Sequence, residues 1–211
     1  MNQIRIRNLT KKFGDATVLD DVTVDFEAGK IYGLTGRNGS GKTMLLKCIC
    51  GLIIPTHGTV TIDGTVVDGA IAEDIKMGII IESPGFLRDY SGIRNLQLLA
   101  MVQEKVDKED IIQSMKLVGL DPDSKKKVGK YSMGMKQRLG IAQAIMGNPE
   151  ILLLDEPMNG LDDASVRCIR ELLLKWKSHD KLIILASHSK EDIGFLCDEV
   201  YEMHSGKISR R

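Results

Sequence analysis

No run in this 211-residue chain approaches the roughly 18 consecutive apolar residues that a membrane-crossing helix requires. The opening Met1-Asn2-Gln3-Ile4-Arg5 has none of the apolar character of a secretory signal, so the chain is expected to stay on the cytoplasmic side. A charge excess is missing too. Twenty-nine basic residues offset twenty-nine acidic ones, which leaves no overall field to draw the molecule to nucleic acid or anionic lipid. The basic cluster Lys125-Lys126-Lys127 reads as a solvated loop. Cysteine is scarce and unpatterned: Cys48, Cys50, Cys168 and Cys197 lack Cys-x-x-Cys spacing, so neither structural zinc nor a disulfide framework is expected. All four read as reduced, small core residues. Repeats and low-complexity tracts are also lacking. With 43% hydrophobic and 27% charged residues disorder is not indicated, and the length suits one α/β domain over 1–211 that buries about 70% of its unfolded surface.

What the chain does have is organised around Gly36-Arg37-Asn38-Gly39-Ser40-Gly41-Lys42-Thr43, which fits Gly-x-x-x-x-Gly-Lys-[Ser/Thr]. Ile31-Tyr32-Gly33-Leu34 before it reads as a short buried strand, and the run from Met44 to Cys50 after it as a helix. A loop so placed suits a triphosphate. Glycines let backbone N–H groups converge on the anion, and the positive end of the helix dipole points at it. Lys42 is then expected to reach the β- and γ-phosphates, and the Thr43 hydroxyl to bind Mg²⁺.

Upstream, Ile4 and Ile6, then Val22, Val24 and Phe26, alternate as in an antiparallel sheet leading into the phosphate strand. Phe13, beside the turn at Gly14-Asp15, has two uses open to it: stacking its π-face on a flat ring, or packing in the core. Downstream, residues 59–67 read as a hairpin turning at Asp63-Gly64, and Met77 to Ile81 as a buried strand that ends at Glu82-Ser83-Pro84-Gly85. The period then becomes helical. Ile93, Leu96, Leu99 and Ala100 mark one helix, and Ile111, Ile112, Met115 and Val118 a second, capped by Asp107. Residues 86–130 are therefore expected to form a helical subdomain inserted between core segments at about 1–85 and 131–211.

A helix over 134–146 stops at Gly147-Asn148-Pro149, and Ile151 to Leu154 reads as a central parallel strand, apolar on both faces. That strand runs into Asp155-Glu156-Pro157, at the strand end where α/β sheets gather ligand groups. Asp155 could hold Mg²⁺ and Glu156 could polarise an attacking water. A helix over 163–177 buries Val166, Ile169, Leu173 and Trp176. The strand Leu182 to Leu185 after it ends at Ser187-His188, where a ring N–H could meet a γ-phosphate oxygen. A short helix near Asp192 and a hairpin at Ser205-Gly206 complete the chain.

The phosphate loop, Tyr131-Ser132-Met133-Gly134-Met135-Lys136-Gln137-Arg138, Asp155-Glu156-Pro157, Asn159-Gly160-Leu161-Asp162 and Ser187-His188, in that order, make the chain resemble the nucleotide-binding subunit of ATP-binding cassette (ABC) transporters from about Ile4 to Lys207. The resemblance implies a P-loop NTPase core of RecA-like mixed sheet, with an N-terminal antiparallel β subdomain and the helical insert. It implies that Phe13 stacks on adenine, that 36–43 is the Walker A loop, and that Asp155 and Glu156 are the Walker B aspartate and general base. Asp162 matches the D-loop and His188 the switch histidine. Ser132 and Gly134 match the signature that caps the γ-phosphate held by an opposing protomer, so a homodimer or a heterodimer of ATPase subunits is implied, bound to a separately encoded membrane permease.

Two positions depart from the family pattern. The signature reads Tyr-Ser-Met-Gly-Met where Leu-Ser-Gly-Gly-Gln is common, and Glu82 stands where most members have glutamine. A carboxylate there brings extra negative charge and no donor, so Glu82 is expected to act on the metal and on coupling to the permease. With the Gly-Met-Lys-Gln-Arg-Leu-Gly-Ile-Ala run, these features are similar to exporters that protect bacteria from bacitracin and lantibiotic peptides. The competing expectation is a soluble ABC ATPase acting on the ribosome or nucleic acid. A single cassette, and a stretch between Thr43 and Tyr131 too short for a coiled coil, count against it.

Overall fold

The computed structural model describes residues 3–70, 75–82, 85–101, 106–177 and 181–211. Two sheets divide the strands. The antiparallel one has the order β2-β1-β4-β5 and is built from β1 (Gln3–Phe13), β2 (Ala16–Glu27), β4 (His57–Ile62) and β5 (Thr65–Val66). Alternation decides its buried face. Ile4, Ile6, Val22, Val24, Phe26, Val60 and Ile62 point inward, while the intervening Arg5, Asp25 and Thr61 do not. The expected turn at Gly14-Asp15 and the expected hairpin at Asp63-Gly64 are both present. The phosphate strand β3 (Ile31–Thr35) belongs to the other sheet, as the expected separation of an antiparallel β subdomain from a mixed-sheet core requires. The turn at Ala28-Gly29 carries the chain between layers, and Phe26 against Tyr32, ring centroids 4.9 Å apart and edge-on, joins them.

The second sheet has the order β10-β9-β3-β8-β7-β6, with β6 (Met77–Ile80), β7 (Ile151–Asp155), β8 (Leu182–Ala186), β9 (Glu199–His204) and β10 (Lys207–Arg210). All its pairings are parallel except β9 with β10. Its central strands are apolar throughout because both faces are covered, and the period of two sorts their side chains between two cores. Ile151, Leu153, Leu182 and Ile184 face the antiparallel sheet and α1 (Lys42–Ile49). Leu152, Leu154, Ile183 and Leu185 face the remaining helices. These are α2 (Gly92–Ala100), α3 (Lys108–Leu117), α4 (Met133–Ile145), α5 (Asp163–Lys177) and α6 (Lys190–Leu196).

Between 86 and 130 the described residues hold α2, α3 and a 3-10 turn at Val128–Lys130, and no strand of either sheet. Asp107 caps α3 through a capping box with Asp110. Helix α4 is buried on more sides than one, since Gly140, Ile141 and Ala144 join Leu139, Ala142 and Ile145. It crosses β6 closely enough that a Cβ on Gly78 would lie 1.8 Å from the Ala144 carbonyl oxygen. Two expectations fail locally. Leu99 is exposed, because α2 turns Leu96 and Asn95 inward instead, and Cys168 on α5 is exposed, its Sγ 3.5 Å from the Leu117 carbonyl. Cys48 and Cys50 are buried as expected. No described helix is long and apolar enough to cross a membrane.

Candidate active site

The loop 36–43 leaves the C-terminal end of β3 and becomes the first turn of α1. Its path needs glycine at specific points. Gly36 has φ +138°, and a Cβ there would lie 2.3 Å from the Met203 carbonyl oxygen. Gly41, at the N-cap of α1, has φ +109° and faces Leu19 and Val18 of β2. That contact puts the tip of the β1–β2 hairpin, with Phe13 just beyond Val18, on the side of the loop. Phe13 is 49% exposed, so core packing is excluded, and the Lys11 ammonium lies over its ring, 4.9 Å from the centroid. Arg37, Asn38 and Gly39 are exposed on the crest, while Ser40 is buried beneath it with a hydroxyl that has no hydrogen-bond partner.

Lys42 is buried and folds back over the loop, its Nζ donating to the carbonyls of Gly36 (2.7 Å) and Arg37 (3.2 Å). The Thr43 hydroxyl donates to Asp155 Oδ2 at 2.6 Å. Burial pushes the Asp155 carboxyl above the usual carboxylate range; Thr43 and Lys42 oppose that rise, and Glu156 and Glu82 add to it. A hydroxyl beside a partly desolvated carboxylate, next to an ammonium and a helix N-terminus, is a donor set that fits a Mg²⁺-bound phosphate. Among the described residues no cluster of three or more His, Cys, Asp or Glu is arranged to hold a metal ion.

Beyond β7 the chain turns sharply. Glu156 has φ +49°, in the left-handed region uncommon for a residue with a Cβ, and is pinned there by its N–H to the Ala186 carbonyl at 2.8 Å. Its Oε1 accepts from the His188 backbone N–H (3.1 Å) and lies 2.8 Å from His188 Nδ1. Adjacent strands β7 and β8 thus deliver Asp155, Glu156 and His188 to one edge. Gln137 on α4 completes the turn, Nε2 donating to the carbonyls of Glu156 (3.3 Å) and Pro157 (2.9 Å). Sequence reasoning assigned Gln137 no role.

Ser132 and Gly134 are elsewhere. Ser132 is the N-cap of α4, its hydroxyl accepting from Met135 N–H at 3.2 Å, and no hydrogen bond of the described residues links it to 36–43. Gly134 lies against Gly160, where a Cβ would come within 2.8 Å of the carbonyl oxygen. Met133 covers Gly160 from outside. Asp162 accepts from Ser165 N–H at 2.8 Å at the start of α5, and hydrogen bonding from Ser165, its side chain first and its backbone N–H second, holds the carboxyl below the usual range. Glu82 has φ +61°, and its carboxylate sits 2.5 Å from the ammonium of Lys47 on α1, not against Thr43 and Asp155. Ser83 and Pro84, in the loop expected to end the β6 strand, lie outside the described residues.

A family model described as ABC transporter matches residues 19–159. The chain belongs to the ABC transporter family. It is 46% identical over 205 residues to the uncharacterized ABC transporter ATP-binding protein YybJ of Bacillus subtilis (strain 168), covering 97% of this chain and 94% of that one. It is 43% identical over 212 residues to the bacitracin transport ATP-binding protein BcrA of Enterococcus faecalis, covering 97% and 67%. With the lantibiotic transport ATP-binding protein SrtF of Streptococcus pyogenes the identity is 34% over 205 residues, covering 97% and 88%. Among solved structures, the dimeric post-hydrolysis state of the ATP-binding cassette MJ0796 bound to ADP and Pi superposes with a TM-score of 0.89 over 98% of this chain and 97% of that one, at 24% identity. The ABC ATPase fold expected from the sequence is the fold observed.

Proposed function

We propose that this ABC ATPase binds and hydrolyses Mg-ATP between two such chains and thereby drives a separately encoded membrane permease. The observation that carries the reading is the convergence at one sheet edge of Thr43 on Asp155 (2.6 Å) and His188 on Glu156 (2.8 Å), beside the N-terminus of α1. Backbone N–H groups of 36–43 and Lys42 hold the phosphates. Lys42 exchanges its two loop carbonyls for phosphate oxygens, so its charge moves without leaving the loop. Phe13 stacks on the base. Mg²⁺, held by Thr43 and Asp155, would neutralise charge on the β- and γ-oxygens.

Glu156 takes the proton of the attacking water, and the backbone N–H and ring of His188 keep its carboxylate in place. Ser132 and Gly134, which make no hydrogen bond to their own phosphate loop among the described residues, belong to the site of a second chain, with Asp162 ahead of α5 beside them. The loop between Ile81 and Arg94, next to the helical segment 86–130 of the single domain, forms the permease contact, which would hold the protein on the inner face of the membrane. The likeness to bacitracin and lantibiotic transport proteins supports a peptide antibiotic as the transported class.

Purified protein should hydrolyse ATP only with Mg²⁺, and Glu156→Gln should lower turnover by at least about 100-fold while leaving nucleotide bound. Turnover by Glu156→Gln equal to that of the unsubstituted protein would remove Glu156 from this role.

A further inference from the structure

Helix α1 presents two side chains one turn apart on one face, Thr43 and Lys47. Each meets an acid at the end of a neighbouring parallel strand: Thr43 meets Asp155 of β7 at 2.6 Å, and Lys47 meets Glu82 just past β6 at 2.5 Å. The two contacts form rungs between the same helix and the same sheet edge. Glu82 holds a left-handed backbone conformation, φ +61°, a cost that persists where surroundings enforce it. Its carboxylate is also close enough to Asp155 to push that carboxyl up. A glutamine at 82 could not form the ion pair. Lys47 is therefore tied to the presence of a carboxylate at this position.

We propose that Lys47 is a positioning residue that holds Glu82 off the cation position in the nucleotide-free protein, and that Glu82 exchanges the Lys47 ammonium for the divalent cation when Mg-ATP binds. This rests on the reading of the site given above. The Lys47 side chain is 23% exposed and that of Glu82 64%, so the pair is partly hydrated and an exchange of partners is cheap. While paired, Lys47 cancels one of three carboxylates at this edge and competes with the cation for Glu82. Without Lys47, Glu82 is free for the cation and binding tightens.

The test uses Glu156→Gln protein loaded with ATP, and Mn²⁺ as the probe, read by electron paramagnetic resonance without any turnover. Lys47→Met should lower the half-saturating Mn²⁺ concentration about two- to fivefold, the range open to a partly exposed ion pair. Glu82→Gln should raise it. Lys47→Met added to Glu82→Gln should leave it unmoved, and Lys47→Arg, which keeps the charge, should resemble the parent. Lys47→Gln is a second neutral replacement should the methionine variant fail to fold. Equal effects of Lys47→Met with and without Glu82, or none with it, would overturn the exchange while leaving the site reading intact. If the parent bound no ATP, the site reading itself would fall.

Discussion

At the scale of single residues the chemistry is a matter of desolvated charge. Burial raises the Asp155 carboxyl, so the folded protein keeps that proton to a higher pH than the unfolded chain does. Between the two pKa values the folded state binds more protons. Stability therefore falls as pH rises through that window, and the full contribution is present only below the unfolded value. Without divalent cations, Asp155→Asn should be more stable than the unsubstituted protein at neutral pH, with the difference fading towards about pH 4. Urea unfolding over that range checks it; a difference that widened on acidification would point to another group. Arg170 is the opposite case. Its guanidinium satisfies buried Asp192 through Nε (2.9 Å) and Nη2 (2.5 Å) and reaches Glu191 through Nη1 (2.8 Å). Arg170→Met strands a buried carboxylate and should cost about 3 kcal/mol in urea unfolding, much of it recovered by adding Asp192→Asn.

At the scale of elements, what positions the site is the docking of α4 on the sheet. Gly78 lets the backbone of α4 lie directly on β6, and at the other end of the same helix Gln137 grips the turn after β7. Gly78→Ala drives a methyl group into the Ala144 carbonyl and should destabilise by about 3 kcal/mol, measured by urea unfolding. Because β6 leads to Glu82, the same variant should also weaken the Mn²⁺ response described above. An unchanged unfolding midpoint would mean that α4 can slide along β6 without penalty. Element types were largely readable: the continuous apolar runs of β7 and β8 announced a parallel sheet covered on both faces, and Asp107 announced α3. Membership of β3 in a separate sheet was not readable from alternation; only the family resemblance implied it. Alternation reports which side of a strand is buried, but not which neighbour buries it.

At the scale of the whole molecule, the proposed dimer would give each chain one half of each of two sites. Ser132 and Gly134 are tied to α4 and Gly160, and no hydrogen bond among the described residues joins them to the loop 36–43 of the same chain. Ser132→Arg should leave nucleotide binding to one's own loop within about twofold, while abolishing both hydrolysis and the ATP-dependent dimer that Glu156→Gln would otherwise trap. Equilibrium dialysis and sedimentation read the two separately. A dimer that formed undiminished would place the signature outside the interface.

Much of the site was legible because its determinants are local. A glycine-spaced loop between a strand and a helix can bind an anion only through its own backbone, so 36–43 declared itself. Asp155, Glu156 and His188 each follow an apolar strand and so had to emerge at its end. The pairing of Lys47 with Glu82, of Gln137 with the carbonyls of Glu156 and Pro157, and of Arg170 with Asp192 follows no period. Those contacts exist because the sheet brings distant strand ends together and leaves charges that need partners. Sequence alone determined which groups could meet a phosphate. Only the tertiary structure decided which charge neutralises which, since that depends on distances between elements that no local pattern encodes.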